Sequence, residues 1–167
     1  MGFEEVVAVI GYMSVEEQVD KDFVRARHRA LAGRIVAFLR GEREGWNLLS
    51  FDEVKRSARA NGGLRLGRRD VEVSRIVGSV GRYRQFDRGF MPKRTSLQGK
   101  WKWVDRAFVR GEELPPVSLY KIGDKYFVLD GNHRVSVARY QGVEMIDAEV
   151  VELLTPASVG GRRSPLR

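Results

Sequence analysis

A predicted strand-to-helix turn near residue 130 carries the residues with the clearest chemical potential. The strand ends at Asp130-Gly131, and a helix begins at once with Asn132, His133 and Arg134. The first amides of a helix have no partner within it and lie at the positive end of its dipole, so they attract anions. Gly131 lets the backbone approach a ligand, Asn132 can cap the helix, and the next two side chains add donors. The alternative is an ordinary strand–helix junction. The predicted phosphate-binding residues of this turn are Gly131, Asn132, His133 and Arg134.

Two carboxylates are candidates for metal binding or proton transfer. Asp87 lies in a long loop rich in glycine, arginine and aromatic residues, where it could act as a general base or hold a metal ion. Asp130, beside the turn, could hold Mg²⁺ through water, although an aspartate before glycine more often stabilises the turn itself. We therefore treat Asp87 as the candidate catalytic residue and Asp130 as the candidate metal ligand.

A basic segment with interleaved tryptophans follows that loop. Its members are Lys93, Arg94, Lys100, Trp101, Lys102 and Trp103. Nucleic-acid binding uses such interleaving, with cations on the backbone and rings stacked on bases. The alternative is an amphipathic helix with Trp101, Val104 and Phe108 in the core. The spacing favours that alternative for Trp101 and leaves Trp103 open.

Composition limits the function classes. The chain has 167 residues, no cysteine and a net charge of +8, and residues 21–110 alone carry +14. The lack of cysteine excludes disulfides, thiol nucleophiles and thiolate metal sites. The basic segment predicts an anionic partner, DNA or RNA, or else a well-solvated surface. The longest apolar run, Val6–Ile10, is too short to span a membrane, and Glu4 and Glu5 stand where a signal peptide carries bases. We expect a cytoplasmic protein without a membrane partner.

The elements that position these residues follow from the hydrophobic pattern. A first helix starts at Glu16, and its apolar stripe, which we expect to face inward, is Val24, His28, Leu31, Ile35 and Phe38. A capping box from Ser50 to Glu53 starts a second helix, which stops at Asn61. The later predicted elements are a strand at 71–77, a helix ending at Gly111, a hairpin at 117–129, a helix at 132–140 and a strand at 144–151.

This order predicts an α+β fold, with a small mixed sheet, packed helices and an N-terminal helical extension. The predicted divisions are residues 1–69 for the extension, 70–154 for the mixed domain and 155–167 for a basic C-terminal tail.

The turn also resembles a known motif. Asp130-Gly-Asn-His-Arg-Val-Ser-Val-Ala is similar to the Gly-x-x-Arg motif of the ParB/sulfiredoxin superfamily. The flanking segments Val71–Val77 and Leu114–Lys121 resemble the leading and central strands of that superfamily. The resemblance covers roughly residues 70–151. The sequence also resembles a bacterial subgroup of ParB-like proteins whose function is unsettled.

The resemblance implies a nucleotide site. In the superfamily, such a turn cradles nucleotide phosphates, and the segment after the first strand lies near the nucleotide. By that resemblance, Arg82 and Arg84 contact phosphates from the side opposite His133 and Arg134, and Tyr83 or Phe86 stacks on a base. The alternative is a basic surface loop whose aromatic residues pack on the core.

Departures from the superfamily narrow the activity. Sulfiredoxins carry a reactive cysteine where this sequence has Asn132, so sulfiredoxin chemistry is excluded. Partition ParB proteins continue into a helix-turn-helix domain and a dimerisation segment, whereas this sequence ends at Arg167. We therefore do not expect centromere recognition. A kinase branch acting on free serine needs a carboxylate base, for which Asp87 is the candidate.

Three functions remain after these steps. The first is a ParB-like domain that binds ATP or CTP with Mg²⁺, with or without hydrolysis. In this interpretation, the bound nucleotide could also control association of the protein with DNA. The second is a non-catalytic nucleic-acid-binding protein that uses residues 21–110, or a nuclease-like one, although the sequence offers no two-metal carboxylate cluster. The third is a small-molecule kinase. The N-terminal helices could wrap the domain, pair two copies into a homodimer or dock a partner, and the sequence does not decide among these.

Overall fold

The computed structural model describes residues 13–42 and 45–160. Its helices are α1 (Val15–Leu39), α2 (Phe51–Ser57), α3 (Gln98–Val109), α4 (Asn132–Gln141) and α5 (Pro156–Gly160). Its strands are β1 (Leu49–Ser50), β2 (Asn61–Glu72), β3 (Ile76–Ser79), β4 (Val117–Ile122), β5 (Lys125–Asp130) and β6 (Met145–Leu154). Of the predicted basic tail, residues 161–167 lie outside the described residues.

The strands form one mixed sheet in the order β1-β3-β5-β4-β6-β2. β4 and β5 form an antiparallel hairpin, while β3 runs parallel to β5 and β4 runs parallel to β6. Because β3 and β5 are parallel neighbours, both end at the same edge of the sheet. The loop after Ser79 therefore starts beside the turn after Asp130. The predicted α+β fold, a mixed sheet with packed helices and an N-terminal helix, is confirmed.

β2 is a strand that the hydrophobic pattern did not predict. It pairs antiparallel with β6, from Leu64 opposite Glu152 to Glu72 opposite Met145. Most of its side chains are exposed, so its sequence lacks the regular apolar alternation that marks a half-buried strand. Backbone hydrogen bonds to β6 hold it in place instead. The predicted boundary between residues 69 and 70 falls inside this strand, and residues 61–69 belong to the sheet.

α1 packs on the domain through a different face from the predicted one. The predicted stripe is exposed, at 51% for Val24, 61% for Ile35 and 72% for Phe38. The buried apolar residues of the helix are Val19, Phe23, Ala26, Ala30 and Ala37. Short alanine side chains let the helix approach α3 closely, which the larger residues of the predicted stripe would prevent. His28, a member of the same predicted stripe, is likewise exposed.

Arginines beside this alanine face also contact the domain. Arg27 donates to the hydroxyl of Thr95, and the guanidinium of Arg29 lies 4.7 Å from the ring centroid of Tyr140. Arg34 lies 5.5 Å from the ring centroid of Trp46. These arginines lie off the apolar stripe of the helix, where a cationic side facing solvent is the expectation from the sequence. Long side chains with apolar stems can instead cover the neighbouring surface, as they do here.

Helices α3 and α4 lie side by side next to the turn, and a buried tryptophan packs between them. Trp101 on α3 is fully buried, as predicted, and its indole N–H donates to Ser136 on α4 over 2.9 Å. Phe108, expected in the same core, is 39% exposed because it lies near the end of α3. At α2 the predicted capping box is not formed, since Ser50 makes no side-chain hydrogen bond to the helix.

Within the described ranges, no helix combines the length and the hydropathy that a membrane crossing requires.

Candidate functional site

The turn between β5 and α4 has the backbone geometry of an anion site. Gly131 adopts φ +102°, and a Cβ atom at this position would lie 2.6 Å from Cγ1 of Val117, so the turn requires glycine. The first helical hydrogen bond runs from the Val135 amide to the Gly131 carbonyl over 3.0 Å. The amides of residues 132–134 therefore precede the helical ladder. Gly131 is the N-cap of α4, and the cap that the sequence assigned to the Asn132 side chain is not formed.

A cavity of about 580 Å³ opens in front of this turn. It brings the predicted residues Arg82 and Asp130 together with the whole turn. It also adds residues from α3 and from the chain leading into β4. The complete lining is Arg82, Lys100, Trp103, Val104, Pro115, Leu129, Asp130, Gly131, Asn132, His133 and Arg134. A volume of this size is typical of small-molecule sites, which span roughly 300–1,000 Å³.

Positive charge dominates the cavity. Burial, with a smaller contribution from the nearby cations Arg82 and Lys100, lowers the pKa of His133 to about 4. His133 is therefore neutral near pH 7, with its ring edge-on to Phe86 at a centroid distance of 5.5 Å. An anion placed between these groups would offset the repulsion from the two cations, which is the smaller part of the effect on the pKa.

Two buried polar atoms of the turn lack partners. Among the described residues, neither Oδ1 of Asn132 nor Nδ1 of His133 has a hydrogen-bond partner. Asn132 is 5% exposed and lines the cavity, so its side chain is held in the site without a protein group to satisfy it. Buried polar groups in proteins are nearly always hydrogen-bonded, and the Asn132 oxygen, which can only accept, therefore calls for a donor such as ordered water.

Arg134 is engaged by the protein. Its guanidinium contacts the carboxylate of Asp130 at 2.6 Å and donates to the carbonyl oxygens of Pro115 and Pro116. These contacts tie the turn to the segment before β4. Asp130, the predicted metal ligand, is thus ion-paired. No group of three or more histidine, aspartate or glutamate side chains in the described part of the chain could hold a metal ion.

Asp87 and Arg84 lie away from the cavity. Asp87 is 7% exposed, and its Oδ1 accepts hydrogen bonds from the amides of Gly89 and Met91 at 2.9 and 2.8 Å. Burial raises the pKa of Asp87, while these two hydrogen bonds lower it. Asp87 therefore shapes the loop. Arg84 lies 5.5 Å from the ring centroid of Tyr83 and borders a separate cavity near β1.

One hydrogen-bond chain connects three walls of the cavity. Ser136 on α4 accepts from the Trp101 indole on α3 and donates to the carbonyl of Phe90 in the loop after β3. Phe90 is fully buried and has φ +62°, an unusual value for a bulky residue. This anchoring fixes α3, α4 and the loop relative to one another.

Lys100 and Trp103 were not assigned to the turn from the sequence, although both were noted as members of the basic-aromatic segment. Their spacing of three residues puts them on one side of α3, and Trp101 points elsewhere. The spacing indicates that Lys100 and Trp103 share one side of a helix. It does not indicate that this helix borders the turn after β5.

Comparisons with known proteins give little. No protein-family profile matches the chain, and no curated protein matches it either. Among solved structures, a sulfiredoxin from Arabidopsis thaliana aligns with 50% of this chain and 82% of its own at 16% identity, with a TM-score of 0.38. A likeness this weak carries no argument. The superfamily membership that the turn motif implies stays a prediction.

Proposed function

We propose that the cavity at the N-terminus of α4 binds the phosphate groups of a nucleoside triphosphate such as ATP or CTP, together with Mg²⁺. The observation that carries this proposal is the convergence of Arg82 and Lys100 on neutral His133 at a helix N-terminus. Polyphosphates need several donors and positive charge at one place, and this cavity provides both.

The proposed roles differ from residue to residue. The amides of residues 132–134, including that of Asn132, bind phosphate oxygens directly together with Arg82 and Lys100. Arg134 and Asp130 hold the turn in its binding geometry through their ion pair. Mg²⁺ would be held mainly by phosphate oxygens and water, which is common for this ion, with Asp130 the carboxylate at hand.

The alternative activities have weaker support. Kinase chemistry with Asp87 as the base requires its carboxylate to reach a substrate in the cavity. Asp87 is buried outside the cavity, so this requirement is not met. Nucleic-acid binding through residues 21–110 would have fewer arginines free to contact phosphates, because Arg27, Arg29 and Arg34 already contact other side chains of the protein. Hydrolysis, DNA association, the homodimer and the cytoplasmic location stay predictions.

Calorimetric titration with ATP, CTP and tripolyphosphate, each with and without Mg²⁺, tests the proposal. We expect binding by the parent protein and a loss of about tenfold or more in Arg82→Gln and Lys100→Gln, because each removes a charged hydrogen-bond donor. Arg65→Gln, at an exposed arginine on β2 outside the cavity, is the control. If none of these ligands binds the parent protein, or if all three variants weaken binding equally, the proposal is wrong.

A further inference from the structure

Trp103 is an exposed tryptophan on the wall of the phosphate cavity. Its side chain is 59% exposed, whereas Trp101, two residues earlier on α3, is fully buried. At 3.6 residues per turn, residues two apart point to different sides of a helix, so the core that takes Trp101 cannot take Trp103. A large flat ring is therefore available to whatever enters the cavity.

The cavity has a polar wall and an apolar wall. Arg82, Lys100 and the turn make the polar one, while Trp103, Val104, Pro115 and Leu129 make the other. Leu129 is itself 47% exposed on this wall. A volume of about 580 Å³ is much larger than a phosphate group needs, given that one water takes roughly 30 Å³. The cavity therefore has room for an apolar part of a ligand as well as an anionic part.

Helix geometry couples the two parts. Lys100 and Trp103 are three residues apart on α3, so the ammonium and the indole leave the helix on one side and both line the cavity. A ligand held by Lys100 through a phosphate has its next group beside the Trp103 ring. Tryptophan presents a flat face that stacks well on aromatic rings.

Building on the proposed phosphate site, we propose that Trp103 stacks on a planar base of the bound ligand and sets its specificity. The ligand class is then a phosphorylated compound with an aromatic heterocycle, as distinct from an inorganic polyphosphate or a sugar phosphate. Trp103 contributes to the base part of the affinity alone, and the turn with Arg82 and Lys100 contributes the phosphate part.

The test compares a nucleotide with tripolyphosphate in Trp103→Leu and Trp103→Phe. We expect Trp103→Leu to weaken ATP or CTP binding by about 5- to 150-fold, the usual loss on removing a base–aromatic stack, and to leave tripolyphosphate binding unchanged. Trp103→Phe, which keeps a ring, recovers much of the nucleotide affinity. Phe108→Leu is the matched control, because Phe108 is an exposed aromatic residue of α3 outside the cavity. Thermal unfolding shows that each variant is folded.

Different outcomes separate the two proposals. If the parent protein binds both ligands and Trp103→Leu changes neither affinity, the stacking role is wrong while the phosphate site stands. If Trp103→Leu weakens both ligands equally, Trp103 supports the cavity rather than a base, and the inference fails. If the parent protein binds neither ligand, both proposals fail. A parent that binds single-stranded nucleic acid in place of free nucleotides also overturns the inference as stated.

Discussion

The guanidinium of Arg134 lies 2.6 Å from the carboxylate of Asp130 and also donates to the carbonyl oxygens of Pro115 and Pro116. One side chain thus joins the end of β5, the start of α4 and the chain entering β4. The Arg134 side chain is 14% exposed, whereas that of Asp130 is 75% exposed. The bond to the Pro116 carbonyl is partly buried and is the better shielded part of this arrangement.

From this geometry, Arg134→Ala should lower stability as well as ligand binding. It removes the hydrogen bonds to two carbonyl oxygens, which contribute about 0.5–1.5 kcal/mol each and together correspond to several degrees in the melting temperature. Asp130→Asn should cost less than about 1 kcal/mol, because an exposed ion pair contributes little. Thermal unfolding of both variants provides the measurement. Equal losses of stability would show that the ion pair, rather than the carbonyl contacts, holds the turn.

Gly131→Ala should damage the turn more than glycine replacement at a roomier position does. The added Cβ would lie 2.6 Å from Val117 in addition to the strained φ of +102°. Gly123→Ala in the β4–β5 hairpin is the control, since Gly123 also has a positive φ, of +62°, but nothing within 4 Å of its Cβ position. We expect Gly131→Ala to unfold at a clearly lower temperature than Gly123→Ala and to lose tripolyphosphate binding. Similar melting temperatures would mean that Val117 moves aside at little cost.

Binding of a polyphosphate should take up a proton at His133. The pKa of His133 is lowered to about 4 in the free protein by burial and by Arg82 and Lys100, and a bound anion raises it. The complex then takes up a proton at a higher pH than the free protein does, so affinity rises, by at most about tenfold per pH unit, as pH falls through the pKa of the complex and levels off below about 4. Titration in buffers of different ionisation enthalpy counts the protons.

His133→Asn should remove this proton uptake, and His28→Asn, at the other histidine of the chain, should not. Protonation of the ligand itself affects both variants equally, so the difference between them isolates His133. Identical pH slopes for parent and His133→Asn would exclude a proton at this site.

Asp105 predicts a second pH effect, on stability. Burial raises its pKa to about 6, the hydrogen bond from Gln141 opposes that rise, and the nearby Asp22 carboxylate adds to it. The folded state therefore holds a proton that the unfolded chain releases near pH 3.8, and stability falls as pH rises from about 4 to about 6. The loss is on the order of 3 kcal/mol and is complete above that window.

Asp105→Asn should accordingly stabilise the protein at pH 8 and have little effect at pH 4. Asp124→Asn, at an exposed aspartate in the β4–β5 turn, is the control with no expected change at either pH. Urea unfolding at the two pH values measures the difference. A variant that is less stable than the parent at pH 8 would mean that the ionised carboxylate is needed between α1 and α3.

The observed packing of α1 predicts that substitutions on its buried face lower the stability more than substitutions on its exposed face. Phe23→Ala removes a side chain that is 3% exposed and should cost about 3–5 kcal/mol. Ile35→Ala removes one that is 61% exposed and should change stability by less than about 0.5 kcal/mol in the isolated chain. Chemical unfolding of the two variants compares them directly. A larger loss of stability in Ile35→Ala than in Phe23→Ala would mean that the stripe predicted from the sequence is the buried face of α1.

The sequence alone determined α1, α3, α4, the β4–β5 hairpin, β6 and the turn. Glycine at position 131, between an apolar strand and a helix with a histidine and an arginine in its first turn, was enough to predict the anion site, because backbone geometry of this kind is local. The buried tryptophan was also predictable, since Trp101 and Val104 lie three residues apart on one helix face.

Tertiary structure decided which of those elements meet. Five large residues at helical spacing predicted the wrong face of α1, because the alanine face allows the closer approach to α3. The strand β2 has almost no hydrophobic pattern, and it exists through its pairing with β6. Lys100 and Trp103 reach the turn after β5 because α3 packs beside α4, whereas Asp87 and Arg84 turn away from it. Contacts between residues distant in sequence depend on packing and backbone pairing across the whole chain, and local patterns of residue type do not contain them.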